Sequence, residues 1–175
     1  IVTGGAGFIG SAVIRRLIAV GYGKIINVDL LTYAGNLESL IEESKYPGYV
    51  FEQADIRDSA LMGELVNRYE PHAIMHLAAE SHVDRSIVEP NCFIQTNIVG
   101  THTLLYAARE MWLGRDNSPS NHLFHHVSTD EVYGTLDLSD PACSESSPYA
   151  PNSPYAASKA ASDHLIRSYH RTYGL

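Results

Sequence analysis

The chain has 175 residues, enough for one domain with a sizeable core, and its 45% apolar and 18% charged residues are globular proportions. With 20 acidic against 12 basic residues the net charge is −8, which opposes nucleic-acid phosphate outside a local patch. No run approaches the roughly 20 consecutive apolar residues of a membrane span, the first residues show no charged signal-peptide region, and Cys92 and Cys143 lack CxxC spacing and read as free thiols. The expectation is a cytoplasmic protein acting on a small molecule, with no nucleic-acid and no membrane partner.

Short apolar runs alternate with amphipathic stretches, the pattern of βαβ units around a parallel sheet. A stub strand at Ile1-Val2-Thr3 leads into a glycine-rich turn. A helix is predicted over residues 11–20, with Val13, Ile14, Leu17 and Ile18 at helical spacing and Gly21 and Gly23 stopping it. Strands follow at residues 24–29, 49–55, 72–79 and 122–128, and helices at 59–69, 90–112 and 154–173. Prolines with serine and aspartate make 134–154 a surface loop. The predicted fold is α/β, a Rossmann-like doubly wound parallel sheet with helices on both faces. Because the chain opens inside a strand and stops just after a helix, residues are expected to be missing at both ends.

Gly4, Gly7 and Gly10 form GxxGxxG directly between a strand and a helix. That arrangement permits a tight turn, close approach of backbone to a pyrophosphate, and close strand–helix packing, while the helix N-terminus offers free N–H groups to the phosphates. Asp29 stands 19 residues beyond Gly10, at the end of the next strand, where a carboxylate can hold adenosine ribose hydroxyls. It would repel a 2′-phosphate, so the pattern favours NAD over NADP. Asp55, ending the third strand, can reach the adenine edge or serve as a turn residue.

Tyr155 and Lys159 are four apart on a predicted helix and share a face. The lysine charge can depress the phenol pKa, so that Tyr155 works as a base near neutral pH. Ser128 and Thr129 end the fifth strand, where open α/β sheets bind ligands. Asp130 and Glu131 follow at once, an adjacent carboxylate pair suited to an acid and a base, or else a solvated turn. The segment from Glu80 to Ser86 (ESHVDRS) ends the fourth strand and can position pyrophosphate and sugar; its plain alternative is a polar loop with an Asp84–Arg85 charge pair. His122, His125 and His126 invite a metal reading, but strand neighbours face opposite ways and no ligand spacing occurs, so no metal is expected.

At these residues the chain resembles the extended short-chain dehydrogenases/reductases, a family of NAD-dependent nucleotide-sugar enzymes. The matching segments are TGGAGFIGS (3–11), LTYAGNLESL (31–40), HLAAESHVDRSI (76–87), QTNIVGT (95–101), HHVSTDEVYG (125–134) and SPYAASKAASDHL (153–165). The glycine turn and the YxxxK pair are shared across the family. STDEVYG together with LTYAGN and AAESHVDRS points to its sugar dehydratases.

The resemblance implies that NAD is held by Gly4, Gly7, Phe8, Ile9 and Gly10, by Asp29, Leu30, Leu31 and Thr32 around the ribose, and by Asp55 and Ile56 at the adenine. Leu77, Ala78, Ala79, Ser81 and Thr96 would line the cofactor, with Tyr155 and Lys159 at the nicotinamide end. Ser81 and Thr129 would touch the sugar, Asp130 would be the acid, Glu131 the base, Tyr155 the oxidation base and Lys159 the ribose anchor.

The implied reaction takes dTDP-glucose to its 4-keto-6-deoxy product by C4 oxidation, loss of water across C5 and C6, and hydride return. A UDP-sugar 4-epimerase and a non-catalytic NAD-binding regulator are the alternatives. The resemblance further implies a homodimer through helices 90–112 and 154–173. It makes residues 1–175 the NAD-binding domain, with a C-terminal substrate domain absent from this chain. Leu30 departs from the lysine common in the family, and the 135–148 loop is shorter than usual.

Overall fold

The computed structural model describes residues 1–116 and 121–175. Five parallel strands, β1 (Val2–Thr3), β2 (Ile25–Asp29), β3 (Tyr49–Gln53), β4 (Ala73–His76) and β5 (Leu123–His126), lie in the order β3-β2-β1-β4-β5. All four pairings are parallel, with Val2 opposite both Asn27 and Met75. The winding reverses between β1 and β4, which opens a crevice at the carboxyl ends of those two strands. The doubly wound architecture expected from the sequence is the one observed.

Helices cover both faces of the sheet. α1 (Phe8–Ala19) packs with Val2, Ile14, Ile25 and Leu40 on one side. On the other, α2 (Ser59–Tyr69) and α5 (Thr101–Asp116) bury Ile26, Val28, Ile74, Leu65, Leu104 and Trp112. β2 is buried along nearly its whole length, as a strand covered on both faces must be. Trp112 satisfies its only polar atom by donating Nε1–H to the Pro71 carbonyl at 2.8 Å.

Local chemistry sets the helix ends. The Asp58 carboxylate caps α2 by accepting the Leu61 N–H at 3.0 Å. α6 (Pro154–Tyr173) starts on Ser153, whose Oγ accepts the Ala156 N–H at 3.0 Å, has proline in its first turn, and stops on Gly174 at φ 78°. Both helices occupy the residues the sequence predicts.

β3, β4 and β5 are shorter than the predicted 49–55, 72–79 and 122–128, and three helical segments differ from expectation. α1 begins at Phe8, not residue 11, because the glycine turn closes early and its last residues form the first helical turn. The expected polar loop after β4 contains a short helix, α3 (Val83–Val88), capped by His82. The predicted helix 90–112 is helical but not uniform. It starts as α4 (Pro90–Phe93), widens into π-helical turns over Ile94–Gly100, and continues as α5. Two hydroxyls account for the widening: Thr101 Oγ1 and Ser162 Oγ each donate to the Asn97 carbonyl at 2.6 Å, taking an acceptor the α-helical ladder would use. Among the described residues no helix is long and apolar enough to cross a membrane.

Candidate active site and dinucleotide cleft

A cleft of about 610 Å³ runs along the carboxyl edge of the sheet across the β1–β4 reversal. Every residue expected at the cofactor lines it except Leu31. Leu31 takes a left-handed conformation (φ 58°) and its N–H donates to Asp29 Oδ1 at 2.8 Å, so it shapes the turn from behind. Arg57, Ala34, Gly35, Cys92 and Val127 also line the cleft and were not anticipated. Two of them carried a positional hint: Arg57 follows Asp55-Ile56 directly, and Cys92 precedes Thr96 by one turn.

At the nucleotide end the backbone does the shaping. Gly4 sits at φ +70°, and a Cβ there would lie 2.7 Å from the Ala78 backbone nitrogen. A Cβ on Gly10 would come within 2.1 Å of the Gly4 carbonyl oxygen, so these two glycines let α1, β1 and the β4 exit approach each other. No side chain caps α1, and its first turn holds no acidic residue, so its N-terminal amides and positive dipole end are available to an anion. Phe8 and Ile9 are 92% and 58% exposed at the cleft wall, apolar surface that a bound cofactor would cover.

Asp29 has a structural duty in addition to any ligand. Its Oδ2 accepts the Ala6 N–H at 2.9 Å while Oδ1 holds Leu31, so one carboxylate ties the glycine turn to the β2 exit. Each oxygen keeps a second lone-pair direction for a ribose hydroxyl. Asp55 is gripped by Arg57, whose Nε and Nη2 lie 2.9 and 2.6 Å from Oδ2. That hydrogen-bonded guanidinium holds the carboxyl below its usual range against the opposing pull of partial burial.

Two sequence motifs meet at the rim. Arg85 stacks over Tyr33 with 4.6 Å to the ring centroid and lies 3.6 Å from Glu80, while Tyr33 OH reaches Glu80 at 3.4 Å. The Asp84–Arg85 pair considered from sequence is not what forms; Arg85 points to Glu80 and Glu89 instead. Behind the rim, buried Asn97 accepts the Glu80 N–H and donates to the Glu80 carbonyl and to Ser158 Oγ, at 2.9, 2.9 and 2.8 Å. It thereby joins the β4 exit to α6. Sequence reasoning missed Asn97, though it sits within QTNIVGT.

At the other end of the cleft stand Tyr155 and Lys159. Lys159 is 5% exposed and donates Nζ–H to the Val127 carbonyl at 2.7 Å. Burial pulls its pKa down to about 8, opposed by the charge of Asp163. Tyr155 corrects an expectation. Its pKa is raised, first by burial and then by the charges of Glu131 and Asp130, against a hydrogen bond with Thr129 that lowers it. Lys159 Nζ is turned to the Val127 carbonyl.

Thr129, Asp130 and Glu131 do not line the cleft itself. Thr129 caps a 3₁₀ turn, Asp130–Tyr133, with Oγ1 accepting the Glu131 N–H at 3.3 Å and standing 3.4 Å from Asp130 Oδ1. The charges of Glu131 and Asp130 act on the Tyr155 phenol. Both carboxylates are exposed beside the mouth of the cleft. Ser128, read as a candidate substrate contact, donates its hydroxyl to Asp163 at 2.6 Å while also lining the cleft.

Under these residues lies an unusually polar interior. His76 is fully buried between Thr3 and Thr101, at 2.7 and 2.9 Å. The Thr101 proton is committed to Asn97, so Thr101 accepts from His76 Nε2–H and the bare Nδ1 accepts from Thr3. Burial, with the charges of His126 and Lys159, holds the His76 pKa well below its usual value. Among the described residues no three His, Cys, Asp or Glu side chains group as a metal site.

Comparison with known proteins gives a consistent answer. The family described as GDP-mannose 4,6 dehydratase matches residues 1–175. The dTDP-glucose 4,6-dehydratase of Neisseria meningitidis serogroup B is 58% identical over 176 residues, covering 100% of this chain and 50% of that protein. The enzyme of the same name from Salmonella typhimurium is 56% identical over 185 residues, covering 100% and 51%. The chain therefore spans about half the length of these curated relatives. Among solved structures, the dTDP-glucose 4,6-dehydratase DesIV of Streptomyces venezuelae, with NAD bound, superposes with a TM-score of 0.88 at 49% identity, covering 99% of this chain and 52% of that one. The UDP-glucose 4-epimerase of Thermus thermophilus, also with NAD, gives 0.85 at 32%, covering 99% and 51%.

Proposed function

The chain belongs to the GDP-mannose 4,6 dehydratase family, and from that membership we propose that it is the NAD-binding part of a dTDP-glucose 4,6-dehydratase. The observation that carries this reading is the Thr129-Asp130-Glu131 turn packed against α6, the helix that carries Tyr155 and Lys159. In this reading the turn would set an acid and a base beside the helix that carries the oxidation base. The cleft fits NAD by its donor set: uncapped α1 amides for the pyrophosphate, Asp29 for a ribose diol, and Lys159 at the far end. When bound there, NAD supplies a hydride acceptor that later returns the hydride.

The chemical obstacle is that C5–H of the sugar is not acidic. Burial raises the Tyr155 pKa in the protein alone, and the positive charge of bound NAD would offset this. So ionised, Tyr155 would take the proton of the 4-hydroxyl as C4 is oxidised, and the resulting ketone acidifies C5–H. Glu131 removes that proton and Asp130 protonates the departing 6-hydroxyl. Reduction at C6 and protonation at C5 complete a 4-keto-6-deoxy sugar. Thr129 orients Tyr155 and hydrogen-bonds the sugar, and Ser81 at the cleft edge adds a second contact. Both carboxylates are exposed, so the dry surroundings that divide acid from base arise only when substrate covers them.

A UDP-sugar 4-epimerase would share the Tyr155–Lys159 oxidation but would have no use for Asp130 and Glu131. A non-catalytic NAD-binding regulator would have no use for Tyr155 and Lys159 either. We infer also a cytoplasmic homodimer built on residues 90–112 and 154–173. Val99, His102 and Tyr106 are exposed along one face of the π-helical and α5 segments, which supports such packing. Light scattering of a monomer at high concentration would count against it.

The deciding experiment incubates the protein carrying this chain with NAD and dTDP-glucose and reads the product mass. Loss of one water with no net change in NAD is the expected outcome. A product of unchanged mass but altered retention would make it an epimerase, and unaltered substrate would reject the dehydratase reading for this sugar.

A further inference from the structure

Asp163 lies four residues beyond Lys159 and eight beyond Tyr155, on the same stripe of α6. The proposed reaction gives it no proton to carry, yet two separate segments, β5 with its exit and the loop entering α6, converge on it. Ser128 Oγ, just past β5, donates to Asp163 Oδ2 at 2.6 Å, and Tyr149 OH, from the loop entering α6, donates to the same oxygen at 2.9 Å. His126 of β5 places Nε2 3.3 Å from Oδ1, without the geometry of a hydrogen bond, which leaves both its buried ring nitrogens unbonded.

The Asp163 side chain is only 13% exposed, so these bonds are shielded from water. Hydrogen bonds to an ionised acceptor are roughly twice as strong as neutral ones. Ser128 and Tyr149 both sit on backbone outside any helix or strand. A side-chain anchor is what such segments need to keep one geometry.

We propose that Asp163 is a positioning residue, which by holding Ser128 and Tyr149 fixes the strand-exit residues 128–131 against the helix that carries Tyr155 and Lys159. Its catalytic consequence rests on the dehydratase reading; the mechanical link does not. The groups around it are consistent. Burial opposes ionisation of Asp163, but His126, Ser128 and Tyr149 hold its pKa below the usual carboxylate range. The Asp163 charge also supports protonated Lys159, which in turn acts on His126 of β5 and His76 of β4. On the neighbouring turn, Asp130 and Glu131 act on Tyr155.

The test compares Asp163→Asn, Ser128→Ala and Tyr149→Phe in the protein carrying this chain. Without substrate, amide hydrogen exchange at Val132 and Gly134 is expected to quicken about tenfold in Asp163→Asn while α2 and β2 are unchanged. With NAD and dTDP-glucose, kcat is expected to fall about 10- to 100-fold while KM stays within about threefold, because a misplaced reacting group slows the chemistry more than it weakens binding. The alkaline limb of the pH profile should move to lower pH, since Lys159 loses the charge that supports its proton.

Adding Ser128→Ala to Asp163→Asn should cost nothing further. Unchanged exchange in Asp163→Asn, or full additivity of the pair, would overturn the proposal. If Asp163→Asn fails to fold, Ser128→Ala and Tyr149→Phe decide it through the same exchange readout, unchanged rates again overturning it. Absence of turnover in the parent would reject the dehydratase reading, while the exchange measurement would still judge the link.

Discussion

The two ends of the cleft are built by different physics. Around β1, β2 and β3 the site is backbone: glycines where a Cβ has no room, free helix amides, and one carboxylate that binds two loop N–H groups. The layers behind it are mostly apolar, with Thr3, Ser11 and Asn27 as buried polar exceptions. Around β4, β5 and α6 the site is side chains, and what lies behind them is polar: His76, Asn97, Thr101, Ser158, Lys159 and Ser162 are all buried. The first end rests on the backbone path, with Gly4 approaching the β4 exit and Asp29 tying the turn to β2. The second needs several distant segments to arrive together, and it keeps a buried ammonium and a buried imidazole that an apolar interior would not tolerate unpartnered. Precise side-chain chemistry therefore comes at a cost in stability, whereas cofactor binding does not.

Lys159→Met gives the sharpest test of that contrast. Turnover is expected to drop by about 10³-fold or more, within the range acid–base machinery contributes. Stability at pH 7 should hold steady or rise by up to about 2 kcal/mol, because the buried charge is removed at the cost of one unpaired Val127 carbonyl. The sign with pH follows from the depressed pKa. The unfolded lysine keeps its proton up to about 10.5 and the folded one only to about 8. The penalty is therefore full below pH 8 and relieved as pH rises toward 10.5, and the gap between wild type and variant should close over that window in urea melts. A variant markedly less stable than wild type at pH 7 would show that Lys159 is a structural anchor, and the contrast would fail.

At the opposite end, Gly10→Ala and Gly7→Ala should part company. The Cβ on residue 10 meets backbone at 2.1 Å, whereas on residue 7 its nearest neighbour is the Gly4 carbonyl oxygen at 3.2 Å. Gly10→Ala is expected to weaken NAD binding at least about 100-fold and to lower Tm, since overpacking of this kind costs roughly 1–3 kcal/mol or more. Gly7→Ala should leave Tm nearly unchanged and affect binding alone. Calorimetric titration and thermal melts of both variants check the pair; equal Tm losses would mean that the turn is not as locally determined as described.

A tenfold effect is expected at Asp29. Asp29→Asn keeps the size but offers one acceptor oxygen to two N–H donors, turning an amide NH₂ toward Ala6 or Leu31. NAD should bind about tenfold more weakly, consistent with one charge-assisted bond, and discrimination against NADP should shrink. Retained preference for NAD would assign that preference to other groups around the ribose.

His76 gives a pH-dependent effect of similar size. Its folded pKa is depressed, so the unfolded state alone takes up a proton below about pH 6.5. Stability is fully present above that pH and falls as pH drops, by about 1.4 kcal/mol per pH unit for one such group. His126, lowered by burial, adds in the same direction. Chemical denaturation between pH 7 and pH 5 should show this slope, and a flat profile would remove the claim that the catalytic end is the acid-sensitive one.

Sequence legibility follows the same division. Periodicity located every strand and the major helices, α2 and α6 to the residue. The glycine turn, Asp29 and the Tyr155–Lys159 pair were legible because each depends on short, fixed spacing along one or two elements. Three features were not. The π-helical turns depend on a hydroxyl from Ser162, 65 residues away from Asn97. The grip of Asn97 on Glu80 and Ser158 spans three elements, and Arg85 chooses Glu80 and Tyr33 only because two distant motifs meet at the rim.

By itself, the sequence determined the α/β class, the strand and helix order, the dinucleotide turn and the identity of the candidate catalytic groups. Tertiary structure decided their protonation and aim. Lys159 turns to the Val127 carbonyl, burial and two carboxylates raise the Tyr155 pKa, and Asp163 joins two segments to α6. The physical reason is range. Backbone path and helical phase are set by neighbours within a few residues, whereas burial and electrostatic environment are sums over whatever the fold brings near.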